Sequence, residues 1–173
     1  SQAGTYNDRK VEVHFVNSEK LTDENVAEAL KGMTGVMIGP GFGQRGIDGK
    51  FVAIKYTRTH DIPTFGICLG MQCIAIEFAR NVLGYADADS REMDEKTLHN
   101  VIDIMEEQKS ITNMGGTMRL GAYECVLQEG SKAFEAYGTE HIQERHRHRY
   151  EFNNAYKAEY EAAGMKLSLI HIS

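Results

Sequence analysis

Residues 62–72, Ile62-Pro63-Thr64-Phe65-Gly66-Ile67-Cys68-Leu69-Gly70-Met71-Gln72, constrain the fold of this chain more than any other stretch. A short apolar run ends on a cysteine with a glycine two positions away on either side, and an amphipathic helical pattern begins at once. A nucleophile on a sharp strand-to-helix turn needs small neighbours, because backbone crowds beneath it while its side chain stands clear at the carboxyl edge of a sheet. The helix that follows aims its N-terminus at the sulfur, and its unpaired N–H groups favour thiolate over thiol. Cys68 is thus placed and biased to attack. The competing reading of this spacing is a buried structural cysteine at a glycine-rich turn.

An elbow of this kind belongs in a sheet with helical crossovers, and the preceding residues supply them. Val11-Glu12-Val13-His14-Phe15-Val16 alternates and reads as a strand, with His14 on its polar, solvated side. Thr22 reads as a helix N-cap, with Asp23 and Glu24 in the first turn, Leu21 stapled onto Val26, and Val26, Leu30 and Met33 as the buried stripe. Residues 35–38 make a short buried strand, so the order is β-α-β. Next comes Gly39-Pro40-Gly41-Phe42-Gly43-Gln44-Arg45-Gly46. This loop has neither the closing Gly-Lys-Ser/Thr of a P-loop nor the spacing of a dinucleotide turn. In a doubly wound sheet, loops at the carboxyl ends of neighbouring strands meet over the active site, so its backbone N–H groups are candidate oxyanion donors. The alternative is a plain surface loop.

Residues 49–60 are helical in period, with Phe51, Ile54 and the stem of Lys55 or Arg58 on one side. After the elbow, Met71, Ile74, Ala75, Phe78 and Val82 mark a helix face, Cys73 packs within that helix, and Gly84 ends it. Residues 85–100 are too polar and acidic to supply a core element. A strand is expected over 101–105, then a polar excursion to 112. Gly115-Gly116 leads into a strand-like stretch over 117–127. Ser131 caps a short helix through Tyr137. Residues 144–151, Glu-Arg-His-Arg-His-Arg-Tyr-Glu, read as a strand with three arginines on one face and His146, His148 and Tyr150 on the other. His146 and His148 have metal-ligand spacing, but the flanking arginines repel a dication and no carboxylates complete a site. The remaining readings of this strand are a solvated charged face or a carboxylate-binding arginine. Asn153 or Asn154 caps a last helix stopped by Gly164, and a further strand begins near Met165.

Length and charge bound the rest. At 173 residues the chain is one domain able to bury a core. No apolar run reaches membrane-span length and no secretion signal opens the chain, so the expected location is cytoplasmic. Three cysteines, Cys68, Cys73 and Cys125, form no C-x-x-C pair and argue against a disulfide framework. A net charge of -6 argues against nucleic acid as a partner. Residues 1–10 read as a disordered N-terminal remnant, 11–168 as the domain, and 169–173 as a truncation or junction tail.

Together the glycine loop, the G-I-C-L-G-M-Q elbow, Gly-Gly-Thr-Met-Arg-Leu-Gly at 115–121 and the charged strand at 144–151 resemble the glutaminase domains of the CTP synthase family, within the class I glutamine amidotransferases. The resemblance runs from about residue 11 to 167. It implies an α/β, flavodoxin-like three-layer sandwich around a mostly parallel sheet. It also implies that Cys68 attacks the side-chain amide of L-glutamine, forming a glutamyl thioester and releasing ammonia to aminate UTP. By the same resemblance Gly41 and the N–H of Leu69 form the oxyanion hole, and Gly41, Leu69, Gly70, Met71, Gln72, Glu92 and Arg149 bind glutamine. Glu92 suits the ligand's ammonium and Arg149 its carboxylate. No cofactor or metal is implied in this domain; ATP and Mg²⁺ serve a synthetase domain, and the full-length enzyme is expected to be a homo-oligomer.

Two departures stand out. The family's loop reads Pro-Gly-Gly-Phe-Gly, whereas here the proline is shifted to Gly39-Pro40-Gly41-Phe42-Gly43. The family's His-Pro-Glu segment, source of the catalytic base, has no counterpart, and His171 has no glutamate two positions on. The expectation is a fragment with little activity of its own. The rival readings are another cysteine hydrolase with this elbow, and a catalytically silent interaction domain.

Overall fold

The computed structural model describes residues 2–41, 43–104, 119–148 and 150–171, with backbone alone at 119, 120, 146, 147 and 169–171. Arg149, Phe42, the 106–112 excursion and the Gly115-Gly116 stretch through Met118 therefore lie outside the described residues, as do the side chains of His146 and His171.

The first ten residues carry a five-residue helix, α1 (Gln2–Tyr6), exposed except at Gly4. Residues 11–16 do not become the expected strand. They pair with no strand among the described residues, and Val13 and Phe15 stand 66% and 96% exposed. Alternation is a pattern that fits a sheet, and without an adjacent strand it has no ladder to join. The next helix also starts later than Thr22. The Asn25 side chain accepts the Thr22 N–H at 2.9 Å and donates to the Lys20 carbonyl at 2.8 Å, holding a turn that delays α2 to Val26–Ala29. Val26 and Leu30 are buried as the stripe predicts.

The site is built on two parallel strands, β1 (Val36–Ile38) and β2 (Thr64–Gly66), paired Val36 to Thr64 through Ile38 to Gly66. Helix α3 (Ile47–Thr59) crosses between them, and α4 (Leu69–Phe78) leaves the end of β2. Val26, Leu30, Ile38, Ile47, Ala53, Ile54, Leu69 and Cys73 make the core joining these helices to the strands. Met37 and Phe65, opposite one another in the register, remain 65% and 64% exposed on the other face.

Helix α4 is buried nearly all round, more widely than its apolar stripe predicts: Gln72, Cys73, Ala75, Ile76, Glu77 and Phe78 are covered, whereas Met71 and Val82 are 42% and 39% exposed. Glu77, 1% exposed, is tolerated because Arg58 of α3 grips it through both Nε and Nη2, with Asn81 adding a third donor. That ion pair ties the two helices together. A π-turn over Ala79–Leu83 extends the helix to Gly84, whose φ of 84° ends it as expected.

The polar 85–100 stretch does enter the core. Ala88 and Ser90 are fully buried, and β3 (Asp89–Ser90) runs parallel to β4 (Asn100–Ile104). Arg80 makes this possible by donating to the Ala88 carbonyl at 2.7 Å and the Asp89 carboxylate at 2.9 Å. Two antiparallel pieces complete the chain. Strand β5 (Arg119–Leu127) is followed by α5 (Lys132–Tyr137), capped by Ser131 as the sequence predicts, and by β6 (His141–His148), which pairs with β5. Strand β7 (Tyr150–Phe152) returns antiparallel on β4. Asn153 caps a 3₁₀ turn, and α6 (Lys157–Ala162) follows, placing Tyr160 where its hydroxyl donates to the Ala75 carbonyl of α4 at 2.8 Å. Finally β8 (Leu169–His171) pairs antiparallel with β5. Among the described residues, no helix is long and apolar enough to cross a membrane.

Candidate active site

Cys68 sits at the turn from β2 into α4 with φ 55° and ψ -112°, in the left-handed region that non-glycine residues avoid. Holding a residue there costs about 1–3 kcal/mol, and the surroundings show what maintains it. A Cβ on Gly66 would lie 2.6 Å from both Gly70 C and Met71 N, and one on Gly70 would lie 2.0 Å from the Ile38 carbonyl oxygen. Backbone therefore fills both positions where side chains would otherwise stand. The same Ile38 carbonyl accepts the Ile67 N–H at 3.0 Å, so the elbow is fastened to the end of β1 immediately before the nucleophile.

The cysteine side chain makes no capping bond to its helix and is partly exposed, while Cys73 and Cys125 are fully buried. Burial pushes the Cys73 thiol up to about 11, against the lowering influence of Lys50, so it stays protonated at neutral pH. Leu69, as the first helical residue, has no intrahelical acceptor for its N–H.

The glycine loop converges on this point. A Cβ at Gly41 would meet Leu69 Cδ2 at 3.2 Å and Lys50 Nζ at 3.3 Å, which places Gly41 between the first turn of α4 and a lysine of α3. Lys50 donates to the Gly39 carbonyl at 2.9 Å. Farther along the loop, Gln44 donates to the Met93 carbonyl at 3.3 Å, linking it to the segment that carries Glu92. Glu92 itself is exposed, and its backbone N–H is held by Ser90 Oγ at 3.2 Å.

Gln72 lies one turn beyond Cys68 on α4 and is only 5% exposed, and its Oε1 has no hydrogen-bond partner among the described residues. A buried acceptor left unmade costs about 1–3 kcal/mol. The structure thus brings Gly41, Cys68, Leu69, Gly70, Met71 and Gln72 together and connects Glu92 to them through the loop. Lys50 and Gln44 escaped the sequence reading, because a lysine four positions into a helix carries no local motif and only tertiary packing aims it at Gly39. No cluster of three or more His, Cys, Asp or Glu suited to a metal occurs among the described residues.

Cys68 is thus a partly exposed cysteine at the N-terminus of a helix, with the glycine loop reaching the first turn of that helix. Comparisons with known proteins place the chain in a family. Residues 2–172 match the family described as glutamine amidotransferase class-I. The chain is 95% identical over 166 residues to CTP synthase of Bacteroides thetaiotaomicron, which is 96% of this chain and 31% of that protein. It is 76% identical to CTP synthase of Bacteroides fragilis and 53% identical to that of Listeria innocua, again over 96% of the chain and 31% of each relative. The chain thus spans under a third of the length of these curated relatives. A solved structure, the glutaminase domain of Trypanosoma brucei CTPS with bound acivicin, superposes with a TM-score of 0.88 at 36% identity, covering 98% of this chain and 65% of that one.

Proposed function

Because the chain belongs to the class-I glutamine amidotransferase family, with residues 2–172 matching it, we propose that it forms the glutamine-hydrolysing site of a CTP synthase. In this reading the Cys68 thiolate attacks the δ-carbonyl carbon of glutamine. The C–S bond forms as the carbonyl pair moves to oxygen, and the N–H groups of Gly41 and Leu69 receive the resulting oxyanion. Collapse breaks the C–N bond as a general acid protonates the departing ammonia, and water, giving its proton to the same group acting as a base, then attacks the thioester and releases glutamate with the Cys68 thiolate regained. The ammonia is passed on to aminate UTP in the remainder of the full-length enzyme, where ATP and Mg²⁺ are used.

The remaining roles follow from chemistry. Gln72 Oε1 offers an acceptor to the ligand's amide or ammonium, and Glu92 a carboxylate to the ammonium. Arg149 offers a bidentate fork to the α-carboxylate. The observation that carries the reading is the elbow itself, a cysteine held at φ 55° over glycines whose side-chain positions are filled by backbone.

The test is labelling by acivicin, the compound bound in the Trypanosoma brucei domain. Acivicin should modify Cys68 alone, and L-glutamine should slow it while L-asparagine does not. Labelling that glutamine leaves unaffected would favour a different cysteine hydrolase, and no labelling would favour a silent interaction domain.

A further inference from the structure

Lys50 occupies an electrostatically awkward place. It stands in the opening residues of α3 (Ile47–Thr59), where the helix macrodipole disfavours a cation, and no carboxylate among the described residues is in ion-pair contact with it. Its half-buried ammonium instead donates to the Gly39 carbonyl at 2.9 Å and stands 3.3 Å from where a Cβ on Gly41 would lie, a position 3.2 Å from Leu69 Cδ2. Gly39 precedes Pro40, which has no N–H of its own and a fixed φ, so with the Gly39 carbonyl held only the ψ of Pro40 is left to turn the next N–H, that of Gly41, and the lysine standing beside Gly41 limits that rotation.

We propose that Lys50 is a positioning residue for the oxyanion-binding loop, its ammonium clamping the Gly39 carbonyl so that the Gly41 N–H converges with that of Leu69 beside Cys68. The influence of the same charge on the neighbouring Cys73 thiol is consistent with an ammonium lodged beneath this site rather than in solvent. The inference rests on the reading of Cys68 as the nucleophile of an acyl transfer.

Two reagents separate the roles of Lys50. An L-glutamate γ-thioester acylates the cysteine through a tetrahedral oxyanion: the sulfur attacks the carbonyl carbon, the electron pair moves to oxygen, and collapse expels a thiolate that needs no proton. Iodoacetamide alkylates by displacing iodide and forms no oxyanion. Acylation of Cys68, followed by intact mass, should be roughly 10- to 100-fold slower in Lys50→Met, the scale of a misplaced catalytic group. Its iodoacetamide rate should equal that of the parent chain, and Lys50→Arg should recover part of the acylation rate. Lys50→Gln, which keeps a donor without the charge, is measured alongside with thermal unfolding, so that a folding defect in one variant does not decide the result. Acylation at the parent rate in the folded Met and Gln variants would overturn the proposal, as would equal slowing of both reagents, which would make Lys50 merely structural. If the parent chain itself takes iodoacetamide but not the thioester, the glutaminase reading falls, and this proposal with it.

Discussion

Replacing Gly70 with alanine tests the elbow most directly. Its backbone is not in the left-handed region, so the substitution carries no φ penalty, and the whole effect is steric. The new Cβ would lie 2.0 Å from the Ile38 carbonyl oxygen, 2.8 Å from its carbon and 3.1 Å from Ile38 Cγ2. Ordinary contact begins at 3.4 Å, so α4 and β1 must part by about 1.4 Å, and the obstacle is backbone that cannot rotate away. Overpacking of this kind costs about 1–3 kcal/mol, and separating the two elements also lengthens the 3.0 Å Ile67 to Ile38 hydrogen bond, worth about 1 kcal/mol. A total of about 2–4 kcal/mol is expected. With a urea m-value near 2 kcal/mol/M, the midpoint should fall by roughly 1–2 M. Gly39→Ala is the control, since a Cβ there meets nothing within 4 Å among the described residues and its φ is not positive, and it should leave stability within about 0.5 kcal/mol of the parent, a midpoint shift of no more than about 0.3 M. Equal midpoints for the two variants would refute the argument that the glycine is required by close backbone approach.

Cys68 should be alkylated before Cys73 and Cys125 in peptide mapping at neutral pH, because the other two are fully buried; modification of Cys125 first would count against the elbow. The stability that the buried Cys73 thiol confers is complete below its unfolded pKa of ~8.5, and should be lost as pH rises through about 11, a fall that Cys73→Ala should remove from the alkaline unfolding profile. Arg58→Ala strands Glu77, 1% exposed, without its main partner and should cost about 3–5 kcal/mol by thermal denaturation, whereas Arg58→Met with Glu77→Leu should cost far less. Arg149→Ala should weaken glutamine protection of Cys68 about ten- to a hundred-fold, and Arg145→Ala less; unchanged protection would remove Arg149 from the site. Neither proline, Pro40 or Pro63, follows a histidine, so these 173 residues hold no His-Pro-Glu. They should turn glutamine over about 10²–10⁴-fold more slowly than the same chain with 169–173 replaced by the family's continuation through that segment, and equal ammonia release would point to a base already present.

What the sequence determined by itself is the part whose causes are local. The elbow was legible because a strained turn dictates glycines at fixed offsets, and the backbone atoms at 2.0 and 2.6 Å from the missing Cβ positions are the cause of that spacing. Ser131 and Gly84 marked helix ends because caps and left-handed stops act within a few residues. The tertiary structure decided everything that depends on a neighbour distant in the chain. Residues 11–16 alternate like a strand yet pair with none among the described residues, since pairing is a property of two segments. Ala88 and Ser90, in a stretch too polar to announce a strand, are buried because Arg80 satisfies the polar groups beside them. Lys50 shows no pattern at all in sequence, and the packing of α3 across β1 and β2 alone carries its ammonium to the Gly39 carbonyl, eleven positions back along the chain.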